Sequence, residues 1–492
     1  MAKPITPLVR LQKALGSLVQ TTEPECFAAS FDNARLSFMP EAVVKPAVEA
    51  DIATVLKLAN TYKMPVTVRG AGTSTTGSAS PVKGGWVIDL SGWNKVHIDA
   101  AAGVAYVQPG VTIASIQAEA EKEGWAYPPD PSSHKWATIG GAIACNAGGM
   151  RGAKYGVTRD YVLALEGFLA TGEYVRWGAD LRKFAAGFNL RDLWIGSEGM
   201  LGIITGAALK LLPKPAARRT LLAQFANEDK AITAVQRIFQ ARLVPSILEF
   251  LDRQSIECTV RLLKDKGEGT VAKDGTLRLS KRLSLPAKPV AVLLIEVDGH
   301  PAQVKDDYAL LQETLKPLTL AVSEATTPEE AELLWSIRRR CSKAMFQMGD
   351  SKLNEDVVVP LRSQKELLKY TLQLKRETGL ATPTFGHAAD GNFHVHLMFQ
   401  RSDPGQCAAA ERGVQALMEK VVALGGAITG EHGIGLAKSV FLHLQHGPAE
   451  IAAMQAVKKA LDPNGILNPG KLFEPFRVWE HTPVKVHLPW DH

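Results

Sequence analysis

Three histidines fall within ten residues of one another in Phe385-Gly386-His387-Ala388-Ala389-Asp390-Gly391-Asn392-Phe393-His394-Val395-His396. Asp-Gly between strand-like flanks is a strong signal for a two-residue hairpin. With Asp390-Gly391 as the turn, His387 is expected opposite His394. His396, two residues further on, shares their face. Two imidazoles across a strand pair, about 5 Å apart at Cβ, can chelate one divalent cation. A carboxylate from elsewhere would complete a His-His-carboxylate set with an open position. Gly430-Glu431-His432-Gly433-Ile434-Gly435 offers one, in a loop whose glycines let the backbone approach a ligand. A lone histidine is more often a core or surface residue, and it is the clustering that argues for a metal.

The first half of the chain holds a different chemistry. Val68-Arg69-Gly70-Ala71-Gly72-Thr73-Ser74-Thr75-Thr76-Gly77 follows a strand-like run. Consecutive backbone N–H groups and Thr/Ser hydroxyls in such a loop can cradle a pyrophosphate. The order is not G-x-G-x-x-G, so the loop is not read as a Rossmann fingerprint. A second stretch runs from Pro128-Pro129-Asp130-Pro131-Ser132-Ser133 through Thr138, Gly140-Gly141, Asn146 and Gly148-Gly149. A third is Leu193-Trp194-Ile195-Gly196-Ser197-Glu198-Gly199-Met200-Leu201-Gly202-Ile203-Ile204-Thr205. Each alone reads as a turn or helix cap; the three together point to a cofactor-binding domain.

The elements that must position these loops alternate between helix and strand. Val48, Ile52, Val55, Leu56 and Ala59 recur at helical spacing. Pro65 to Arg69, Trp86 to Leu90 and Val104 to Gln108 read as strands, and Ile113 to Glu123 as a helix. Leu163 to Ala170 and Tyr174 to Trp177 read as a hairpin around Thr171-Gly172-Glu173. Leu211-Leu212-Pro213-Lys214-Pro215 marks a boundary. Beyond it, strands at Leu221 to Phe225, Leu248 to Asp252 and Val290 to Val297 alternate with helices near 229–241, 302–315 and 327–340. That is the rhythm of a split α+β domain on an antiparallel sheet. The expected organisation is an N-terminal helical segment over 1–40, a cofactor domain over 41–215 and a substrate or cap domain over 216–404. A helical segment over 405–475 and a tail over 476–492 follow.

At 492 residues the chain has room for two or three domains. The formal net charge of +6 is dispersed, without the basic run that nucleic-acid binding would need. A mildly basic surface suits acidic substrates or an anionic membrane face. No apolar stretch reaches the roughly 18 residues of a membrane span, and the N-terminus lacks a secretory signal pattern. Met1 to Thr22, free of acidic residues and bearing Lys3, Arg10 and Lys13, reads as an amphipathic first helix, with a transit peptide as the alternative. Cys26, Cys145, Cys258, Cys341 and Cys407 are scattered and lack a C-x-x-C, so neither a disulfide framework nor an iron–sulfur cluster is expected. A cytoplasmic location, open to the inner membrane face, fits.

The three glycine-rich segments, over roughly Val43 to Pro215, resemble the FAD-binding domain of the vanillyl-alcohol oxidase and p-cresol methylhydroxylase superfamily. The fold this implies is α+β: a two-subdomain FAD-binding domain, an α+β ferredoxin-like cap and a helical C-terminal segment returning to the flavin domain. In that superfamily the first loop wraps the FAD pyrophosphate and the second runs along the cofactor. The positions so implied are Arg69, Gly70, Ala71, Gly72, Thr73, Ser74, Thr75 and Gly77 in the first loop. They continue with Pro129, Asp130, Ser133, Thr138, Gly140, Gly141, Asn146, Gly148, Gly149, Tyr155, Gly202, Ile203 and Asn468. Some relatives attach FAD through a histidine beside the first loop. Thr73-Ser74-Thr75 has none, which implies non-covalent FAD.

Gly386-His387-x-x-Asp390-Gly391-Asn392-x-His394 and Gly430-Glu431-His432-Gly433-x-Gly435 resemble C-terminal motifs of glycolate oxidase FAD subunits, D-lactate dehydrogenases and D-2-hydroxyglutarate dehydrogenases. The last group implies a metal, usually zinc, on His387, His394 and Glu431, with His432 as general base. His396 stands where some relatives carry Asn. Leu334-Trp335-Ser336-Ile337-Arg338 resembles the family's substrate-arginine motif, giving Arg338 the substrate carboxylate, which a guanidinium matches with two prongs. Ser342, one turn on, with Lys352, Asn354 and His396, would line the substrate. The activity implied is FAD-dependent oxidation of a small D-2-hydroxy acid. An iron–sulfur or other electron-acceptor subunit, peripheral membrane contact and a homodimer are the partners left open. A flavin-free metal hydrolase and a non-catalytic flavin-binding subunit are the alternatives.

Overall fold

The computed structural model describes residues 6–286, 288 and 290–491, so the first five residues of the Met1–Thr22 reading and His492 of the tail lie outside it. The described chain forms two compact units, one running to Gly148 and then over Gly156–Lys214 and from Glu431 onward, the other over Gly149–Tyr155 and Pro215–Gly430. Among the described residues no helix is long and apolar enough to cross a membrane.

The first unit is built on two sheets. In one, strand Trp86–Asp89 lies between Ala42–Val44 and Val66–Arg69, parallel to both. Parallel strands need a crossover, and the helix Glu49–Tyr62 joins Ala42–Val44 to Val66–Arg69 across the strand between them. The carboxylate of Asp51 accepts the N–H of Val48 at the start of that helix. The left-handed residue Lys63 (φ 52°) ends it. Ile52, Val55, Leu56 and Ala59, the spacing read from the sequence, are all fully buried against Val44, Val66, Trp86 and Ile88. The other sheet is five-stranded and antiparallel, in the order Val96–Asp99, Val104–Val107, Ile203–Lys210, Val162–Phe168, Tyr174–Gly178.

The second unit holds a seven-stranded antiparallel sheet in the order Ala321–Ala325, Ala217–Phe225, Ala291–Gly299, Ile247–Leu251, Thr384–His387, Asn392–Phe399, Ser351–Val358. One face is covered by the helices Arg253–Asp265 and Pro328–Ala344, in a core with Leu251, Val292, Leu294, Phe385 and Met398.

Three expectations change. The segment over 405–475 is not one piece. Helix Pro404–Ala423 buries Ala409, Gly413, Val414, Leu417 and Val421 and packs on strand Asn392–Phe399, so it belongs to the second unit. Residues 149–155 leave the expected cofactor domain because buried acids hold them: Arg151 pairs with Glu296 at 3.0 Å and Lys154 with Asp298 at 2.5 Å. Residues 1–40 and 476–492 are not separate pieces either. Leu11 and Leu15 join the first unit's core, and Asp491 pairs with Arg35 at 2.5 Å.

The register of the histidine hairpin also differs. A type I′ turn needs positive φ at both central residues. Of Asp390 and Gly391 only Gly391 has it (φ 84°). Instead the N–H groups of Asp390 and Gly391 both donate to the His387 carbonyl, at 3.3 and 3.2 Å, in a longer, helix-like turn. His387 therefore pairs with Asn392, and Phe385 with His394. The pairing has slid by an even number of residues, so the side chains keep their face.

Gly391 has positive φ, and a Cβ there would lie 2.0 Å from the Val359 carbonyl oxygen. Gly391→Ala is expected to destabilise the protein by more than about 1 kcal/mol. Thermal unfolding measures this, and an unchanged midpoint would contradict the tight turn.

Candidate functional site

Strand pairing in the second unit gathers polar side chains on one sheet face. Glu249 is opposite His387, Phe385 opposite His394, Asp356 opposite His394 and Asn354 opposite His396. The His387 and His394 rings stand edge to face with centroids 5.4 Å apart. Each offers a nitrogen within 4.8 Å of the other, a spacing one cation can bridge. His387 Nδ1 is bonded to Glu249 Oε1, and Arg338 Nε donates to Glu249 Oε2. Burial alone would raise the Glu249 carboxyl, but His387 and Arg338 hold it down at about 2. Helix Pro328–Ala344 begins with Thr327 capping the Glu330 N–H at 3.2 Å and delivers Arg338 from above the sheet. The Arg338 guanidinium lies 4.2 Å from the centre of the Phe385 ring.

Further along the same face the polarity is open. His396 is fully buried, its Nδ1 3.3 Å from the Pro383 carbonyl. Its Nε2 and the Asn354 Oδ1 opposite have no hydrogen-bond partner among the described residues. Burial, then the nearby Lys352, pushes His396 well below the usual imidazole range. Nδ1 facing a carbonyl keeps its proton, which leaves Nε2 as an acceptor. Lys352 Nζ donates to Ser342 Oγ at 2.5 Å, and burial brings its ammonium down to about 8. Two orphaned acceptors suit a donor such as a hydroxyl, and the ammonium beside them suits an anionic group.

Asp356 binds the end of this unit to its sheet. It accepts from Asn392 Nδ2 at 2.6 Å, Thr429 Oγ1 at 3.0 Å and the Gly430 N–H at 2.8 Å. The next residue is Glu431, with His432 following. Glu431 Oε1 is 3.9 Å from His432 Nε2. A Cβ on Gly148 would come within 2.8 Å of Glu431 Oε2, so the glycine there leaves room for the carboxylate.

In the first unit, the loop after strand Val66–Arg69 and the segment before helix Ile139–Cys145 meet. A Cβ on Gly70 would fall 2.1 Å from Thr138 Oγ1. Gly72 takes φ 72° and packs against the Arg69 guanidinium, which itself donates to the Phe31 carbonyl. Thr73, Ser74 and Thr75 remain half-buried, with hydroxyls and no acidic neighbour in the loop sequence. Bare glycine backbone flanked by hydroxyls and an arginine fits an anionic pyrophosphate. The neighbouring Cys145 thiol, 3.9 Å from Ser78 Oγ, is pushed up to about 12 by burial.

Not every expected position joins that loop. Gly149 and Tyr155 lie in the second unit, where the Tyr155 hydroxyl donates to Asp298 at 2.8 Å. Asn146 is a left-handed helix end whose Oδ1 accepts the Arg159 N–H at 3.0 Å. Ile203 is fully buried core, and Gly202 lies under the Trp194 indole. The Pro129 carbonyl accepts from Gln117 at 3.1 Å, and that of Ser133 from the Trp136 N–H at 2.8 Å. Asn468 donates to the carbonyls of Ser78 at 2.8 Å and Glu198 at 2.7 Å, and its Oδ1 accepts from Lys471 at 3.1 Å. It braces the loop from beneath.

Glu198, Glu249 and Asp356 escaped the sequence reading. Glu249 carried a signal: one acid inside the buried apolar run Ile247-Leu248-Glu249-Phe250-Leu251 demands a partner. Glu198 is buried, with φ 52°, and accepts the N–H groups of Ile434 at 2.7 Å and Gly435 at 2.8 Å. It thereby holds the loop containing His432, whose carbonyl also accepts from Thr76 Oγ1 at 3.4 Å.

Comparison with known proteins gives a consistent picture. Residues 214–472 match the C-terminal domain of FAD linked oxidases, and residues 40–178 match an FAD binding domain. The chain is 37% identical to glycolate oxidase subunit GlcD of Bacillus subtilis over 467 residues, 93% of this chain and 96% of that one. It is 37% identical to D-lactate dehydrogenase of Anaerostipes hadrus over 442 residues, 88% and 89% of the two chains. The solved structure of p-cresol methylhydroxylase with substrate bound aligns with a TM-score of 0.75 at 17% identity, covering 95% of this chain and 96% of that one. That likeness speaks for the fold.

Glu198→Ala removes the acceptor of two buried N–H groups, each costing about 1–3 kcal/mol when left unmet. Faster amide exchange over 433–437 and a lower melting temperature are expected. Unchanged exchange would show that the carboxylate does not hold this loop.

Proposed function

The chain belongs to the family of FAD-linked oxidases, and from that membership we propose that it oxidises a small D-2-hydroxy acid, glycolate, D-lactate or D-2-hydroxyglutarate, to the 2-oxo acid. The observation that carries this reading is the single sheet face of the second unit. There a guanidinium for a carboxylate and two imidazoles for a cation share one buried partner, Glu249. That matches a substrate with carboxylate and hydroxyl on adjacent carbons.

Arg338 binds the substrate carboxylate through the guanidinium edge that Glu249 leaves open. Lys352, Asn354, Ser342 and His396 receive the remainder of the substrate. His387 and His394 hold a divalent cation together with Glu431, and two imidazoles with one carboxylate are a donor set that suits zinc. Glu431 follows Gly430, which Asp356 ties to the strand paired with His394. A cation held there would supply Lewis acidity that lowers the pKa of the substrate hydroxyl. His432 takes the proton from that hydroxyl oxygen. Gly70 to Gly77 and Thr138 to Gly148 hold FAD non-covalently. When bound, FAD supplies the acceptor for the hydride that leaves C2. The name of the Bacillus subtilis relative, a glycolate oxidase subunit, favours a partner subunit that carries electrons onward.

An anaerobic screen with glycolate, D-lactate, D-2-hydroxyglutarate and D-malate should bleach the flavin with at least one, and more slowly after chelation. Bleaching by none would sink the reading and favour a non-catalytic flavin subunit. A purified protein without flavin absorbance would favour a metal hydrolase. His432→Ala should slow flavin reduction by about 10²–10⁴-fold with FAD stoichiometry unchanged, and near-normal reduction would remove His432 as the base. Because burial holds Lys352 near 8, its ammonium is present below that pH and lost above it. KM should rise as pH passes about 8. In Lys352→Met it should be high and flat, and an identical pH profile in that variant would exclude Lys352 from substrate binding.

A further inference from the structure

We propose that Glu249 is a positioning residue that aims the substrate arginine and a metal-binding histidine from one buried carboxylate, an inference that rests on the function proposed above. Glu249 is 0% exposed, and the flanking Ile247, Leu248, Phe250 and Leu251 of its strand are buried with it. A carboxylate cannot remain there unless both oxygens are matched. They are: Oε1 by His387 Nδ1 and Oε2 by Arg338 Nε.

Each bond sets an orientation. Donating from Nδ1 to Glu249 Oε1 fixes His387 as the Nδ1–H tautomer, in which the lone pair of Nε2 is the ligand site. Donating from Nε to Glu249 Oε2 uses one edge of the Arg338 guanidinium and leaves its two Nη groups for a carboxylate. The Phe385 ring, 4.2 Å away, fixes the plane of that guanidinium. The carboxylate anchor and the cation ligand thus cannot rotate independently. Neither Lys at 338 nor a shorter acid at 249 reproduces both bonds.

Glu249→Gln keeps the shape but has one acceptor oxygen, so it cannot receive both N–H groups. In the full chain with FAD bound, Glu249→Gln should keep its FAD stoichiometry and weaken zinc affinity by about 10–100-fold. Its KM for the bleaching hydroxy acid should rise more than kcat falls. In the zinc-free protein, ¹⁵N-histidine spectra should show His387, assigned by its absence from His387→Gln, as the Nδ1–H tautomer in wild type and not in Glu249→Gln. Glu249→Asp keeps the charge on a shorter arm and should recover part of the zinc affinity. An unchanged tautomer and unchanged zinc affinity in Glu249→Gln would overturn the proposal. Should Glu249→Gln lose its flavin, the same two readouts on Glu249→Asp decide it. If wild type binds no zinc and no hydroxy acid bleaches it, the functional reading fails, while the tautomer result still decides the role of Glu249.

Discussion

A carboxylate sealed from water must find a counter-charge and hydrogen-bond donors within the protein, and the second unit is arranged around that demand at Glu249. The strand carrying it is apolar on both sides of the acid. The cost of burial is offset only because helix Pro328–Ala344 brings Arg338 down onto one oxygen and the neighbouring strand brings His387 onto the other. Removing either partner would leave charge in a medium that tolerates it poorly. The helix, the central strands and the histidine hairpin therefore have to be placed together, and the core of Leu251, Leu294, Leu334, Ile337 and Phe385 packs around that requirement.

The first unit solves a related problem with backbone. Its glycine loops leave main-chain groups and hydroxyls bare where a phosphate would need them, and side chains behind the loops do the bracing. Asn468 and Lys471 tie the loop over Ser78 and Ser80 from below. Glu198 gathers the N–H groups of Ile434 and Gly435. The loop bearing Glu431 and His432 is thus fastened to the same foundation as Thr76, whose carbonyl accepts from Leu436 and Ala437.

Much of this was legible from residue order. The helical spacing of Ile52, Val55, Leu56 and Ala59 and the apolar runs at Trp86 and Ala291 correspond to elements found, because burial periodicity is a local property. The seven-strand order was not legible, since antiparallel neighbours far apart in sequence leave no local trace. Neither was the hairpin register. Asp390-Gly391 carries the signature of a two-residue turn, but Asp390 does not take the positive φ that turn requires. The membership of 149–155 in the second unit depends on Glu296 and Asp298, whose positions become relevant only once the sheet exists. Residues proposed to touch a ligand were readable as motifs. Those that hold them, Glu198, Glu249 and Asp356, were readable at most as acids in unlikely surroundings.

The parity of the strand pairing carries a consequence for how such a chain can vary. His387, His394, His396, Asn354 and Asp356 share a face only because their positions along paired strands keep step. A deletion or insertion of one residue within Thr384–His387 or Asn392–Phe399 would invert that strand and put its histidines on the wrong side of the sheet. A change of two would merely slide them. Length variation in homologous chains should accordingly accumulate in the turn at 388–391, and within the strands themselves it should come in pairs or not at all.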